Sequence, residues 1–444
     1  MHRLPALRRA LPALALLALA PTIAGAQDTT QKGVRIGLTY QMGVKPGVFV
    51  LPVAGPGGDS LRAIVQRDLD HGDRVTIIGP EPDSPLAGLP RGAGGRFNYE
   101  LYGRLGAAAL VELAPTASGV RATVHDVASA RVAQTRDVTL PGARTSHAWR
   151  WAVHGLADEI ERWITGVRGI AQSRILFVRD GDIFVVDSDG ASERRVAGGE
   201  STLLSPAWAP DGTRIAYSQM TPSGTRIVLH DLRTGRQRPL VATPGGLNIT
   251  PVFSPDGEVL VYAHGLEAGT DLFAASARTD AAGRRITVGR GTDNVSPSFS
   301  PDGRRIAFTS GRSGHPEVYI MDADGTNAEL LTPFSFGDQY YRSNPDWSPD
   351  GRSIAFQSQI GGQFQIMTIS LRDRSIKQHT SEGRNEDPSW APDGRHVVFT
   401  SSRTGTRQLF VLDVESGRVR QLTRGGGARL AAWSPHGVGD AAGS

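Results

Sequence analysis

From about residue 170 to the C-terminal end, apolar and polar residues alternate in short runs of strand length, separated by turn residues. The run "RIAFTS" at 305–310 puts Ile306 and Phe308 on one face and Ala307 and Thr309 on the other. "EVYIMD" at 317–322 makes the next strand, "DADG" at 322–325 the hairpin turn after it, and "LLT" at 330–332 a short outer edge. The same four-strand phrase returns along the chain, so this region predicts repeated antiparallel sheets, not a single large one.

A Pro-Asp-Gly turn fixes the phase of the repeat. Its proline falls at Pro210, Pro255, Pro301, Pro349 and Pro392, with a degenerate copy at Pro435, at intervals of 45, 46, 48, 43 and 43 residues. That period suits one four-stranded propeller blade. Proline presets φ, aspartate hydrogen-bonds its own backbone, and glycine takes the positive φ that other residues resist. Residues 174–189 supply a blade's second and third strands without a first, and residues 431–437 supply a first strand with nothing after it. Joining the two fragments completes a sixth blade and leaves no unpaired sheet edge.

Ahead of the repeats the period changes. Strands are expected at 34–38, 48–53, 74–78, 108–113, 120–127 and 132–140. One helix at 60–69 gathers Leu61, Ile64, Val65 and Leu69, and a second at about 146–165 gathers Val153, Leu156, Ile160, Trp163 and Ile164. The Gly- and Pro-rich stretch 79–96 reads as an exposed loop. At the start, Arg3, Arg8 and Arg9 precede an apolar run from Ala10 to Ala20 and then Ala24-Gly25-Ala26, the pattern of a secretory leader. The expected fold is therefore an all-β six-bladed propeller with a small N-terminal α/β domain. Its boundaries are 1–26 for the leader, 27–166 for the α/β domain, 167–437 for the propeller and 438–444 for a tail.

Composition narrows the function classes. The formal charge is +4, but the leader holds three arginines and no acid, leaving 45 basic against 44 acidic residues. No basic stripe supports nucleic-acid binding. The absence of cysteine excludes disulfides, thiolate metal sites, cysteine nucleophiles and a lipid anchor on a lipobox cysteine. No later run is long enough to span a bilayer, so an exported, soluble monomer is expected.

Catalytic and metal patterns are weak. No Gly-x-Ser-x-Gly or His-Glu-x-x-His occurs, and "GRSGH" at 311–315 has the wrong spacing for a nucleophile elbow. His147 and His154 lie seven apart on the second helix and read as a solvated face. "DADG" and "DSDG" (187–190) lack the further ligands of a calcium loop and read as turns. The turn aspartates Asp211, Asp256, Asp302, Asp350 and Asp393 occupy equivalent corners of different blades and do not converge on one substrate. Trp208, Phe253, Phe299, Trp347, Trp390 and Trp433 recur at one position per blade and are expected in the core. No cofactor and no metal is expected. An exported propeller hydrolase or lyase acting on envelope glycan or peptide is the alternative, testable at Asn385, Glu386 and Asp387.

The remaining candidates stand where each innermost strand begins. Asn248, Asn294, Arg342 and Asn385 each lie three residues before that strand's proline, and Ser205, Thr250, Ser296, Asn344 and Asp387 lie immediately before it. Such positions ring the mouth of a propeller channel, where converging polar groups make a binding site. The asparagines could equally close loops on their own backbone. On the first reading, Asn294→Asp spares folding and alters binding.

The early "GVRIGLT", the junction "HGLADEIERWITGVRGIAQSRILFV" at 154–178, the "SPDG"-type repeats and the ending "AAWSPHG" together resemble the TolB family of the Tol-Pal system. The resemblance covers nearly the whole chain beyond the leader. It implies a periplasmic, non-enzymatic scaffold that binds the peptidoglycan-associated lipoprotein Pal at the channel mouth. It also implies that an N-terminal segment, about 27–43 and including Val34, Arg35 and Ile36, engages the inner-membrane protein TolA. The implied role is to maintain the outer membrane and support cell division.

Overall fold

A computed structural model describes residues 44–79, 97–241, 246–279, 282–289, 292–333 and 340–435. The leader, the expected strand at 34–38, the segment with Val34, Arg35 and Ile36, nearly all of the 79–96 loop and the tail lie outside the described residues.

The N-terminal elements are β1 (Gly47–Val50), α1 (Gly58–His71), β2 (Thr76–Ile78), α2 (Tyr99–Arg104), β3 (Ala107–Pro115), β4 (Gly119–Asp126), β5 (Arg131–Thr139) and α3 (His147–Thr165). The short helix α2 has too few residues to show a period and was not expected. The sheet order is β2-β1-β3-β4-β5; β1 pairs in parallel with β2 and β3, and β3 to β5 form an antiparallel meander.

Helix α3 starts where the Ser146 side chain accepts from the Trp149 amide at 3.2 Å, and it stops at Gly166, whose φ of +81° no branched residue adopts cheaply. Trp149, Val153, Leu156, Ile160 and Ile164 form one apolar stripe, packed with α1 and the sheet. The other side of α3 is buried too: Trp151, His154, Asp158 and Glu161 are at most 6% exposed. Arg174 of the propeller lies over the Trp151 ring at 4.1 Å. A helix with two buried faces is the central layer between sheet and propeller.

Six four-stranded sheets follow. Five use consecutive strands, and the sixth joins Arg429–Trp433 to Arg174–Arg179, Asp182–Asp187 and Arg194–Ala197. The ring closes as the two incomplete repeats require. We number this closing sheet blade 1, and the sheets opening at Leu203, Asn248, Asn294, Arg342 and Asn385 blades 2 to 6. Strand alternation explains the packing. Ile306 and Phe308 face blade 3 in one cluster with Val261 and Leu272, whereas Ala307 faces blade 5 in another with Trp347 and Phe356. Each blade thus contributes to two cores, and none can bury its apolar faces alone.

The recurring aromatics stitch neighbouring blades. Trp208, Phe253, Trp347, Trp390 and Trp433 are buried, and Phe299 is half-buried. The Trp390 indole donates to the Asp346 carbonyl at 3.0 Å, and the Trp208 indole donates to the Ala432 carbonyl at 3.1 Å. The Pro-Asp-Gly glycines Gly212, Gly257, Gly303, Gly351 and Gly394 have φ between +64° and +73°. Each preceding aspartate accepts from a backbone amide two residues on.

Candidate binding site at the propeller mouth

Every innermost strand carries one extra residue relative to its neighbour. In blade 4, Val295 faces Thr309 and Ser298 faces Ala307, three steps on one strand against two on the other. The same shift occurs in the other five blades. Such a bulge turns one residue out of the ladder. In this ring it is Ser205, Thr250, Ser296, Asn344, Asp387 or Leu430, with φ between +48° and +55°. A left-handed conformation costs a non-glycine residue about 1–2 kcal/mol, so six equivalent instances are retained against a standing cost.

The bulge frees amides that neighbouring blades then engage. Ser296 N–H donates to Thr250 Oγ1 at 3.2 Å, Asn344 N–H to Thr309 Oγ1 at 3.1 Å, and Asp387 N–H to Gln357 Oε1 at 2.9 Å. Side chains continue the circuit: Ser296 Oγ donates to Asn344 Oδ1 at 3.2 Å, and Asn344 Nδ2 donates to Asp387 Oδ1 at 2.7 Å. The Leu430 amide also donates to Asp387. A chain of hydrogen bonds runs from Thr250 to Leu430 around five of the six blades.

Inside this ring lies a cavity of about 180 Å³, floored by Pro206, Pro251, Pro297, Pro345 and Pro388. Two residues further down each strand stand Ala207, Val252, Ser298, Asp346, Ser389 and Ala432, which also reach the cavity or its wall. Asp346 accepts from Trp390 N–H at 2.7 Å and from Ser298 Oγ at 3.1 Å. Burial nevertheless pushes its carboxyl up to about 6. Burial and the neighbouring Glu386 likewise push the Asp387 carboxyl up to about 6, against the hydrogen bonds from Asn344 and Leu430.

The structure separates the nine mouth candidates into two groups. Ser205, Thr250, Ser296, Asn344 and Asp387 all line the cavity. Asn248, Asn294 and Asn385 do not: each is fully buried and hydrogen-bonded to the third strand of the preceding blade. Asn294 donates to Asp271 Oδ1 at 2.9 Å and accepts from Ser310 Oγ at 2.7 Å and from Arg312 at 3.1 Å. Asn385 donates to Gln365 and accepts from Arg403, and Asn248 donates to the Thr225 carbonyl at 2.8 Å. Arg342 is also buried, donating to the Pro333 carbonyl at 2.8 Å and paired with Glu317 at 3.3 Å. These four are buried at the loops that lead into the inner strands, and none of them lines the cavity. Leu430 is the ring member the sequence reading missed. No proline follows it, and only the spacing to Trp433 could have located it.

Among the described residues, the lining of this cavity includes no histidine, lysine or cysteine beside its serines and threonine. Glu386 is tied to Arg384 at 2.7 Å, so Asn385, Glu386 and Asp387 make no free acid/base cluster. Two histidine–carboxylate groups lie at the opposite end of the inner strands, beneath α1 and α3, while His315 and Glu317 pair at 3.2 Å just ahead of the third strand of blade 4. His154 contacts Asp68 at 2.6 Å, and His396 contacts Asp393 at 2.8 Å and Asp73 at 3.3 Å. His154 is fully buried, which overturns the solvated-face reading of the His147/His154 pair. Two clusters there have ligand-type composition, Asp68/His154/Asp189 and Asp73/His396/Asp413. Arg67 and Arg150 already neutralise the first, and Arg395 and Arg418 the second, so both are ion-pair clusters that hold the N-terminal layer on the propeller.

A family profile described as the TolB beta propeller domain matches residues 161–436. The chain belongs to the TolB β-propeller family. Among curated relatives of this TolB propeller, the Tol-Pal system protein TolB of Methylococcus capsulatus is 32% identical over 257 residues, 55% of this chain and 57% of that protein. The Nitrosococcus oceani protein of the same name is 30% identical over 218 residues, 45% of this chain and 48% of that protein. The chain thus aligns with about half the length of these curated relatives. The crystal structure of TolB from Acinetobacter baumannii superposes with a TM-score of 0.76 at 24% identity, covering 88% of this chain and 97% of that one. At that identity the likeness establishes a common fold.

Proposed function

We propose that this protein is a periplasmic, non-catalytic scaffold of a Tol-Pal-type system. The propeller mouth binds a peptidoglycan-associated lipoprotein, and the segment holding Val34, Arg35 and Ile36 engages a TolA-like inner-membrane protein. The role is to maintain outer-membrane integrity and support cell division. What carries this reading, beside family membership, is the ring of six bulged residues. It holds unusual backbone geometry in every blade in order to present Ser205, Thr250, Ser296, Asn344 and Asp387 around a shallow cavity floored by proline. A polar rim around an apolar floor suits the tip of a protein partner better than a reaction.

The test is calorimetric titration of the purified protein with the soluble domain of a Pal-like lipoprotein. Binding that weakens at least tenfold on Asn344→Ala or Ser296→Trp, with melting temperature preserved, supports the mouth as the site. No binding by the wild type, or undiminished binding by both variants, overturns it.

A further inference from the structure

The segment 166–173 connects α3 to the first propeller strand and lies directly over α3. Asp158 holds it by accepting from Ala171 N–H at 2.7 Å and Gln172 N–H at 2.9 Å. One turn along the helix stands Glu161, 2% exposed, where three elements meet. Gly72 at the end of α1 and Gly169 of the connecting segment both crowd it. A Cβ on Gly72 would come to 2.2 Å from Glu161 Oε2, and one on Gly169 to 2.6 Å. A Cβ at either place would force this carboxyl to shift.

The surroundings of Glu161 are poor in compensation. Its Oε1 makes no hydrogen bond, and its nearest cation, Arg74, is 3.5 Å away without hydrogen-bond geometry. That guanidinium is shared with Asp393 of blade 6, to which it donates at 3.0 Å. The other charged groups acting on Glu161 are Asp158 on α3, and Asp393 and His396 on blade 6; Asp158 in turn faces Arg168 of the connecting segment and Asp68 of α1. Two buried carboxylates near a third, with Arg74 shared with Asp393 and Arg168 no closer than 4.0 Å to Asp158, are hard to keep ionised together.

We propose that Glu161 is a proton-held latch: its neutral carboxyl lets segment 166–173 stay seated between α3 and the propeller, and opening of that segment exposes Glu161 and Asp158 to water, where both ionise. Burial beside Asp158 raises Glu161 to about 8, and burial raises Asp158 to about 7. Folded values above the unfolded ones mean that the seating is firmest in acid and is lost progressively as pH rises from the ordinary carboxylate range toward those values. Between about pH 5 and 6.5 opening releases two protons, so its equilibrium constant rises up to about hundredfold per pH unit. The histidines His154 and His396, whose charged forms the same clusters favour, act in the same sense at higher pH. The latch would couple the N-terminal layer to the propeller whichever partner each one binds.

Hydrogen exchange of the full chain tests this, with amides 168–173 followed from pH 5 to 8 and corrected for intrinsic exchange. The wild type should open with the steep two-proton slope. Glu161→Gln and Asp158→Asn should each lower the slope to about tenfold per unit, while exchange of the propeller strand 305–310 stays unchanged. Should Asp158→Asn loosen the segment at every pH, Glu161→Gln still reports the slope. A wild-type opening constant flat between pH 5 and 6.5, or a Glu161→Gln slope equal to the wild type's, overturns the proposal.

Discussion

Asn344 and Asp387 occupy the same bulged position in adjacent blades, and the amide of the first donates to the carboxylate of the second at 2.7 Å. Because burial and Glu386 raise the Asp387 carboxyl to about 6, the mouth gains a full negative charge only as pH rises through that value. Affinity for a partner bearing a cation at its tip should strengthen between pH 5 and 7 and then level off. Titrations at fixed ionic strength should show this change in the wild type and its reduction in Asp387→Asn, the remainder coming from Asp346, whose carboxyl is also raised to about 6.

The left-handed backbone at Asn344, with φ of +53°, sets a second expectation. Asn344→Gly should leave stability within about 1 kcal/mol, because relief of strain offsets the lost side-chain bonds. Asn344→Val should cost about 2–3 kcal/mol, since a branched Cβ resists that region. Urea denaturation of both variants measures the difference, and equal destabilisation would refute the strain argument.

Asn294→Asp, which the strand pattern alone reads as sparing folding and altering binding, should instead damage folding. The new carboxylate would face Asp271 Oδ1 across 2.9 Å in a fully buried pocket. Arg312, 3.1 Å from the other oxygen, offsets part of this repulsion and leaves a cost of about 1–3 kcal/mol. The corresponding drop in thermal midpoint should exceed that of Ser296→Ala, which removes only a half-buried hydroxyl.

The turn aspartates should be unequal despite their identical sequence context. Asp302 caps an exposed turn, whereas Asp393 also receives Arg74 at 3.0 Å and His396 at 2.8 Å. Hydrogen bonding to His396, with the charges of His396 and Arg74, outweighs burial and holds the Asp393 carboxyl well below its ordinary range. Its stabilising contribution is therefore present above the usual carboxylate pKa and fades as pH falls. Asp393→Asn should lower stability by about 2–4 kcal/mol near neutral pH, and Asp302→Asn by much less, because its turn is exposed. Denaturation of the two variants at pH 7 and pH 4 should show the gap narrowing in acid.

The propeller was legible because its signal is local and repeated. A Pro-Asp-Gly corner every 43 to 48 residues fixes strand phase, and the two incomplete repeats at Arg174 and Trp433 predicted closure of the ring. The site was legible only in part. Residues before the inner-strand prolines do line the mouth, but the asparagines two positions earlier look equally polar in the sequence. What separates Asn294 from Ser296 is the bulge, which turns one residue toward the channel and the other into the blade.

The sequence by itself determined the blade period, the turn corners, the aromatic series and the amphipathic faces of α1 and α3, because each depends on residues within one strand or one helical turn. Only the tertiary structure decided which polar residues are buried. Packing α3 between the sheet and blades 1 and 6 converted Asp189 and Asp393 from ordinary turn residues into partners of Arg67, Arg150 and Arg74. It also enclosed His154 and Glu161. Those environments arise from groups distant in the chain, with 319 residues separating Arg74 from Asp393. Local pattern fixes how a strand or helix folds, and the charge, solvation and availability of its side chains are set by what docks against it.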